Sequence, residues 1–191
     1  FSLLSDKGIY AHELGHNLGL HHANFLFCPG KSIDYYSNCS DQEYGDVFSV
    51  MGFLSETNGI SNLFHLNSPH KAALGWIPPD KIQTVSSNGE YNLYPLEKSG
   101  NAPLALKIAK ADTNEAYYVE YRNPVGFDAF LPPPITKGAL IHIWDGNFVD
   151  DGFPEVIKTK LIDTKPSTST INDAALSDGT TFFDPFNNIM I

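Results

Sequence analysis

The run His12-Glu13-Leu14-Gly15-His16-Asn17-Leu18-Gly19-Leu20-His21-His22 meets the pattern H-E-x-x-H-x-x-G-x-x-H at every specified position. Histidines four residues apart lie one turn along the same helix face, so His12 and His16 can reach one zinc ion. Glu13 is one position further round, where it can hold the water that the metal activates. Such a helix must stop before His22 can come back as third ligand. Gly19 supplies the stop, because glycine takes a left-handed backbone at no steric cost. Three ligands leave a fourth position for water, which marks a catalytic zinc rather than a structural one. The competing reading is an exposed, histidine-rich amphipathic helix, and it requires five fixed positions to coincide. The helix is expected over 7–18, with Ile9, Leu14 and Leu18 as a buried stripe and Ser5 or Asp6 as its N-cap.

Downstream, Glu43-Tyr44-Gly45-Asp46-Val47-Phe48-Ser49-Val50-Met51-Gly52 places a methionine before a glycine. With the histidine run, this resembles the metzincin metallopeptidases and their Met-turn. Within them the chain is most similar to the gametolysin family. The residues that carry this are HELGHNLGLHH at 12–22, EYGDVFSVMG at 43–52 and ALGWI at 73–77. AYYVEYRN at 116–123 also looks like that family and the related immune inhibitor A peptidases. The resemblance implies zinc on His12, His16 and His22, Glu13 as general base, and Met51 beneath the metal as support. His21 matches no ligand position and reads as a surface neighbour. Metzincins carry a sheet and a further helix ahead of the zinc helix, whereas eleven residues precede His12. The resemblance therefore implies a truncated catalytic domain that, taken alone, is a poor protease.

At 191 residues the chain can bury a real core, in one large domain or two small ones. Twelve basic and 22 acidic residues give a net charge of −10, which argues against nucleic acid or an anionic membrane as partner. No apolar run approaches the ~20 residues of a membrane span. Cys28 and Cys39 are the two cysteines. They read first as a disulfide worth roughly 3 kcal/mol in the chain-entropy model, with two free thiols as the alternative. No C-x-x-C pair is present, which argues against a structural zinc site of the cysteine type. Asn38-Cys39-Ser40 matches the glycosylation sequon, with a cysteine in the middle that makes it a weak acceptor.

Residues 23–50 read as an irregular loop returning to the Met-turn. A second helix is expected near 68–74, with Ser68 as N-cap, Pro69 at the first helical position and Gly75 as the stop. Pro78-Pro79 marks a boundary. Beyond it, short runs alternate with turn clusters, at 81–85, 90–96, 104–109, 116–122, 138–144, 156–161 and 180–183. Leu104, Leu106 and Ile108 share a face, as do Tyr117, Val119 and Tyr121. The last residues, 187–191, read as a strand beginning. The fold class is thus α+β. The lower half of a metzincin-like catalytic domain (active-site helix, Met-turn, C-terminal helix) spans 1–78, and an antiparallel, β-rich, sandwich-like domain spans 79–191.

Several weaker candidates remain. Asp46 is either an acceptor for a zinc histidine or a turn aspartate. His65, His70 and His142 read as surface or strand residues. Glu120 and Arg122 alternate with the apolar face of their strand and read as solvent-facing. Tyr117, Tyr118 and Tyr121 read as core rather than as a sugar or peptide site. Asp145-Gly146-Asn147 with Asp150 and Asp151 offers oxygen ligands for Ca2+, but it misses the full EF-hand loop and reads more simply as a polar turn.

The resulting expectation is a secreted zinc endopeptidase acting on extracellular, cell-wall or matrix proteins, with Zn2+ as cofactor and a protein or peptide as partner. The alternatives are a glycoprotein- or matrix-binding module with a vestigial protease half, and a zinc hydrolase of non-peptide substrates. The intact Glu13 speaks against the first of these.

Overall fold

The computed structural model describes residues 3–53, 56–57, 60–61, 63–98, 100–144 and 157–191. The chain is α+β and mostly sheet. Helix α1 (Leu3–Asn17) runs straight into strand β1 (Leu20–Phe27), followed by β2 (Ser40–Gln42), β3 (Glu56–Thr57) and β4 (Ile60–Ser61). Helix α2 (Ser68–Ala73) comes next, then β5 (Ile82–Thr84), β6 (Ala105–Ala109), β7 (Ala116–Tyr121), β8 (Gly138–Trp144) and β9 (Ile157–Ile162). The short strands β10 (Leu176–Ser177), β11 (Phe183–Asp184) and β12 (Ile189–Met190) finish the described chain.

One large sheet organises the molecule, in the order β2-β1-β9-β8-β7-β6-β5, with β10 also paired to β8. The expected antiparallel sandwich is corrected to a mixed sheet, because β1 lies parallel to β9 and β5 parallel to β6. β1 and β2 precede residue 78 and the other strands of this sheet follow it, so hydrogen bonding joins the two expected segments. Residues 23–50 are likewise not an irregular loop throughout. Their first part is β1, which finds partners in β2 and β9 that are distant in sequence. Residues 90–96 form no strand and make one bridge, Pro95 to Tyr121. The strand at 189–190 closes a hairpin on β11.

Both faces of the sheet are covered. On one lie Leu106, Tyr117, Val119, Ile141, Ile143 and Ile162, packed with Leu26, Cys28 and Phe182. The alternate residues of the same strands, such as Leu140 and Leu161, pack with Phe48, Phe64, Leu131 and Ile135. A third cluster beneath α1 joins Leu20, Ala23, Val50, Met51, Leu66 and Ile157. This two-sided covering corrects the reading of Glu120 and Arg122 as solvent-facing. Their alternation sends them to the second face, where Glu120 is 0% and Arg122 1% exposed. The Arg122 guanidinium donates to both Asp128 oxygens at 2.6 Å, to Glu97 at 3.1 Å and to Glu120 at 3.2 Å. Buried charges persist only when paired in this way.

The two helices also differ from expectation at their edges. α1 begins at Leu3, so Ser5 and Asp6 lie inside it rather than at its cap. For α2 the N-cap is Asn67, whose side chain accepts from the His70 N–H, and Ser68 is the first helical residue. Gly75 follows α2 with φ +69°. Cys28 and Cys39 are disulfide-bonded, with Cα atoms 4.3 Å apart. The bond ties the end of β1 to the start of β2.

Candidate metal centre

α1 turns an unusual face inward. Gly8, His12 and Gly15 are buried, whereas Ile9, Leu14 and Leu18 are 51%, 57% and 45% exposed. The expected buried stripe is therefore on the outside. The inner face is dictated by its neighbours: a Cβ built on Gly15 would overlap Met51 Sδ. Only glycine lets the helix approach the methionine so closely. Met51 is fully buried, and its backbone carbonyl accepts from Ala23 N–H at 2.8 Å, which fastens its turn to β1. A Cβ on Gly52 would overlap the Asp46 carbonyl oxygen, which explains the glycine after Met51.

The helix ends where φ of Gly19 reaches +89°. The chain reverses there, Gly19 N–H donating to His16 O at 2.9 Å, and β1 starts at once. His22 is thereby brought back over the helix. One ligand atom from each of His12, His16 and His22 lies within 4.8 Å of the others, and the His12 and His16 Nε2 atoms are 3.1 Å apart. Tetrahedral zinc at its usual bond length spans ligand nitrogens by about 3.3 Å.

The tautomers follow from the partners. His12 Nδ1 lies 2.8 Å from Val50 O, His16 Nδ1 2.8 Å from Leu20 O, and His22 Nδ1 2.7 Å from Glu43 Oε1. A carbonyl or carboxylate can only accept, so each Nδ1 carries the proton and each Nε2 keeps its lone pair. These acceptors are the orienting groups that metal-bound histidines use. Burial, together with the neighbouring His21 and His16, holds His22 below the ordinary histidine value although Glu43 raises it. The hydrogen bond from His22 holds Glu43 below the usual carboxylate range. The three histidines could hold a metal ion.

Beside the histidines lies a cleft of about 330 Å³ lined by Ile9, His12, Glu13, Tyr44, Gly52 and Phe53. Glu13 is exposed on its wall. Tyr44 was not anticipated. Its ring sits 3.7 Å from that of His22, centroid to centroid, and its φ of +62° is rare for a non-glycine residue. The turn is closed by Gly45 N–H to Gln42 O at 3.1 Å, and Asn24 Oδ1 and Phe53 N–H hold the Tyr44 backbone. Strain of this kind costs of order 1–3 kcal/mol and gathers at functional sites. No local sequence signal marks it, because the conformation is imposed by partners on β1 and the Met51 turn.

Asp46 does not serve a ligand histidine. It is 1% exposed and accepts from His142 Nε2 and Asn67 Nδ2, both at 3.1 Å, and from Phe48 N–H at 3.2 Å. It is a turn aspartate through Phe48 N–H, and its histidine partner, His142, is on β8. Burial opposes it, but the His142 hydrogen bond keeps Asp46 below the usual carboxylate range. His142, penalised by burial, is raised above its ordinary value by Glu120 and Asp46. His70 is buried, its Nε2–H donating to Ile157 O at 3.0 Å, and burial pushes it down to about 4. Half-buried His65 is also pushed down to about 4 by burial. Tyr117 and Tyr118 are core. The Ca2+ candidates Asp145, Gly146, Asn147, Asp150 and Asp151 lie outside the described residues.

Among the described residues no helix is long and apolar enough to cross a membrane. The disulfide is consistent with an extracellular location. Compared with known proteins, the chain matches no family model, no curated protein and no solved structure.

Proposed function

We propose that the chain is the zinc-binding part of a secreted metalloendopeptidase, cleaving extracellular, cell-wall or matrix proteins as its resemblance to gametolysin implies. One observation carries the reading. His12, His16 and His22 converge with every Nδ1 committed to an acceptor, beside a cleft that Glu13 also lines. His12, His16 and His22 would hold the ion through Nε2. Zinc bound there supplies Lewis acidity, acidifying water and polarising a carbonyl.

The remaining work falls to the chain. Glu13 accepts a proton from the attacking water and delivers it to the leaving amine. Gly15 and Met51 fix the depth of the helix, and so the positions of His12 and His16. Tyr44 covers one side of the His22 ring and narrows the approach of solvent.

The test is zinc content after exhaustive dialysis, with casein cleavage, in the full-length protein and its Glu13→Gln variant. The expected result is one tight zinc in both and cleavage only in the parent. Near-parental turnover by Glu13→Gln, or tight zinc surviving in His22→Ala, would overturn the reading.

A further inference from the structure

Successive side chains on a regular strand point to opposite faces, so His21 and His22 should diverge. Instead their ring centroids lie 4.7 Å apart. The cause is in the pairing of β1 with β9. Leu20 faces Ile157 and Ala23 faces Thr159, so three steps along β1 match two along β9. The extra residue is a bulge at His21–His22, and bulges re-aim side chains. Glu43, just beyond β2, reaches the same place, its Oε1 2.7 Å from His22 Nδ1. One ligand atom each from His21, His22 and Glu43 lies within 4.8 Å of the others.

We propose that His21, His22 and Glu43 form a second cation site, which shares His22 with the set formed by His12, His16 and His22. The sharing rests on the zinc reading above, but the second site stands on its own geometry. Two imidazole nitrogens and a carboxylate oxygen select a borderline first-row ion such as Zn2+ over Ca2+ or Mg2+, which take oxygen ligands. The site is the weaker of the two. Glu43 is 57% exposed, and the positive charge of Lys158 acts on the same carboxylate.

With one ion, His22 Nδ1–H donates to Glu43 and Nε2 serves the first set. With the second ion, the Nδ1 proton leaves to solvent and its electron pair passes to that ion, as does a lone pair of Glu43. His22 then donates on both sides, and its hold on the first ion changes. A deprotonated ring is a stronger donor than the neutral imidazole and would lower the Lewis acidity available at the first set, so surplus zinc is expected to lower turnover through His22.

The experiment is equilibrium dialysis against rising Zn2+, with bound zinc measured by mass spectrometry. It compares the parent with His21→Ala, Glu43→Ala and His12→Ala, all checked for folding by circular dichroism. Calorimetry of the second binding event in buffers of different ionisation enthalpy counts protons released. The parent is expected to take a second, weaker equivalent with proton release. His21→Ala is expected to lose that equivalent and keep the first, and in it the inhibition by surplus zinc disappears; Glu43→Ala also loses the second equivalent but, without the acceptor that orients His22, holds the first about 10–100-fold more weakly. A parent that stops at one equivalent overturns the proposal. So does a second equivalent that persists unchanged in His21→Ala and Glu43→Ala. His12→Ala separates the two readings: loss of the tight equivalent alone supports both, whereas an undiminished tight equivalent refutes the first set and leaves the second intact.

Discussion

Arg122→Met tests what holds the sheet to the elements packed on its second face. The guanidinium is 1% exposed and satisfies Asp128 twice, Glu97 and Glu120. Methionine fills much of the same volume without charge. Removing one member of a buried pair costs about 3–5 kcal/mol, because the other charge is left uncompensated. Here three carboxylates lose one shared partner, so the cost belongs at the upper end. The loss also depends on pH. Burial and a hydrogen bond with Asp128 push Glu97 up to about 7. At pH 5.5 it already carries its proton, and the deficit is expected near ~3 kcal/mol. At pH 8 the parent holds it ionised against Arg122, so the variant must either leave that charge unpaired or take up a proton to fold, and the deficit approaches ~5 kcal/mol. The sign follows from linkage: without Arg122 the folded-state carboxyl pKa values rise, so stability present at low pH is lost as pH climbs through them. A domain of ordinary stability, about 5–15 kcal/mol, would be left marginal. Urea denaturation followed by Trp76 and Trp144 fluorescence at both pH values measures this, and a cycle with Asp128→Asn isolates the coupling. A deficit below about 1 kcal/mol, or one independent of pH, would refute the claim that this network is charged and closed.

Other expectations follow from single contacts. Gly15→Ala should cost about 1–3 kcal/mol by overpacking against Met51, and should weaken zinc retention in dialysis because the helix must back away; unchanged zinc affinity would show that Met51 yields freely. Replacing Cys28 and Cys39 together by serine should lower the stability of the folded state by about 3 kcal/mol, read from the denaturation midpoint, for a closed loop spanning 11 positions. The buried His142–Asp46 pair predicts a two-sided pH profile. Raised His142 contributes stability below its unfolded value near 6.5 that is lost as pH rises through its folded value. Lowered Asp46 contributes stability above its unfolded value near 3.8 that is lost as pH falls through its folded value. His142→Gln should abolish the alkaline limb, and a profile identical to the parent's would place that limb elsewhere.

The convergence of His12, His16 and His22 was legible in the sequence because the spacing rules behind it are local. A helix repeat aligns His12 with His16, and a glycine permits the reversal that returns His22. The disulfide was legible because two cysteines leave one pairing. The runs that became β6, β7 and β8 could be read from side-chain alternation, since alternation reports one buried face. What it could not report is that both faces are buried, and so Glu120 and Arg122 were placed in solvent. The exposed Ile9, Leu14 and Leu18 fail for the same reason in reverse: hydrophobicity says that a residue gains from burial, but not that Met51 already occupies the inner side of α1. The partners that finish the site come from elsewhere in the chain. Glu43 on His22, the strained Tyr44 above it, the His142–Asp46 pair and the bulge that turns His21 beside His22 all depend on contacts 20 to 137 residues away in sequence. Short-range spacing determined which residues could bind an ion, and long-range strand pairing decided what surrounds them, because register and covering layers exist only once distant segments meet.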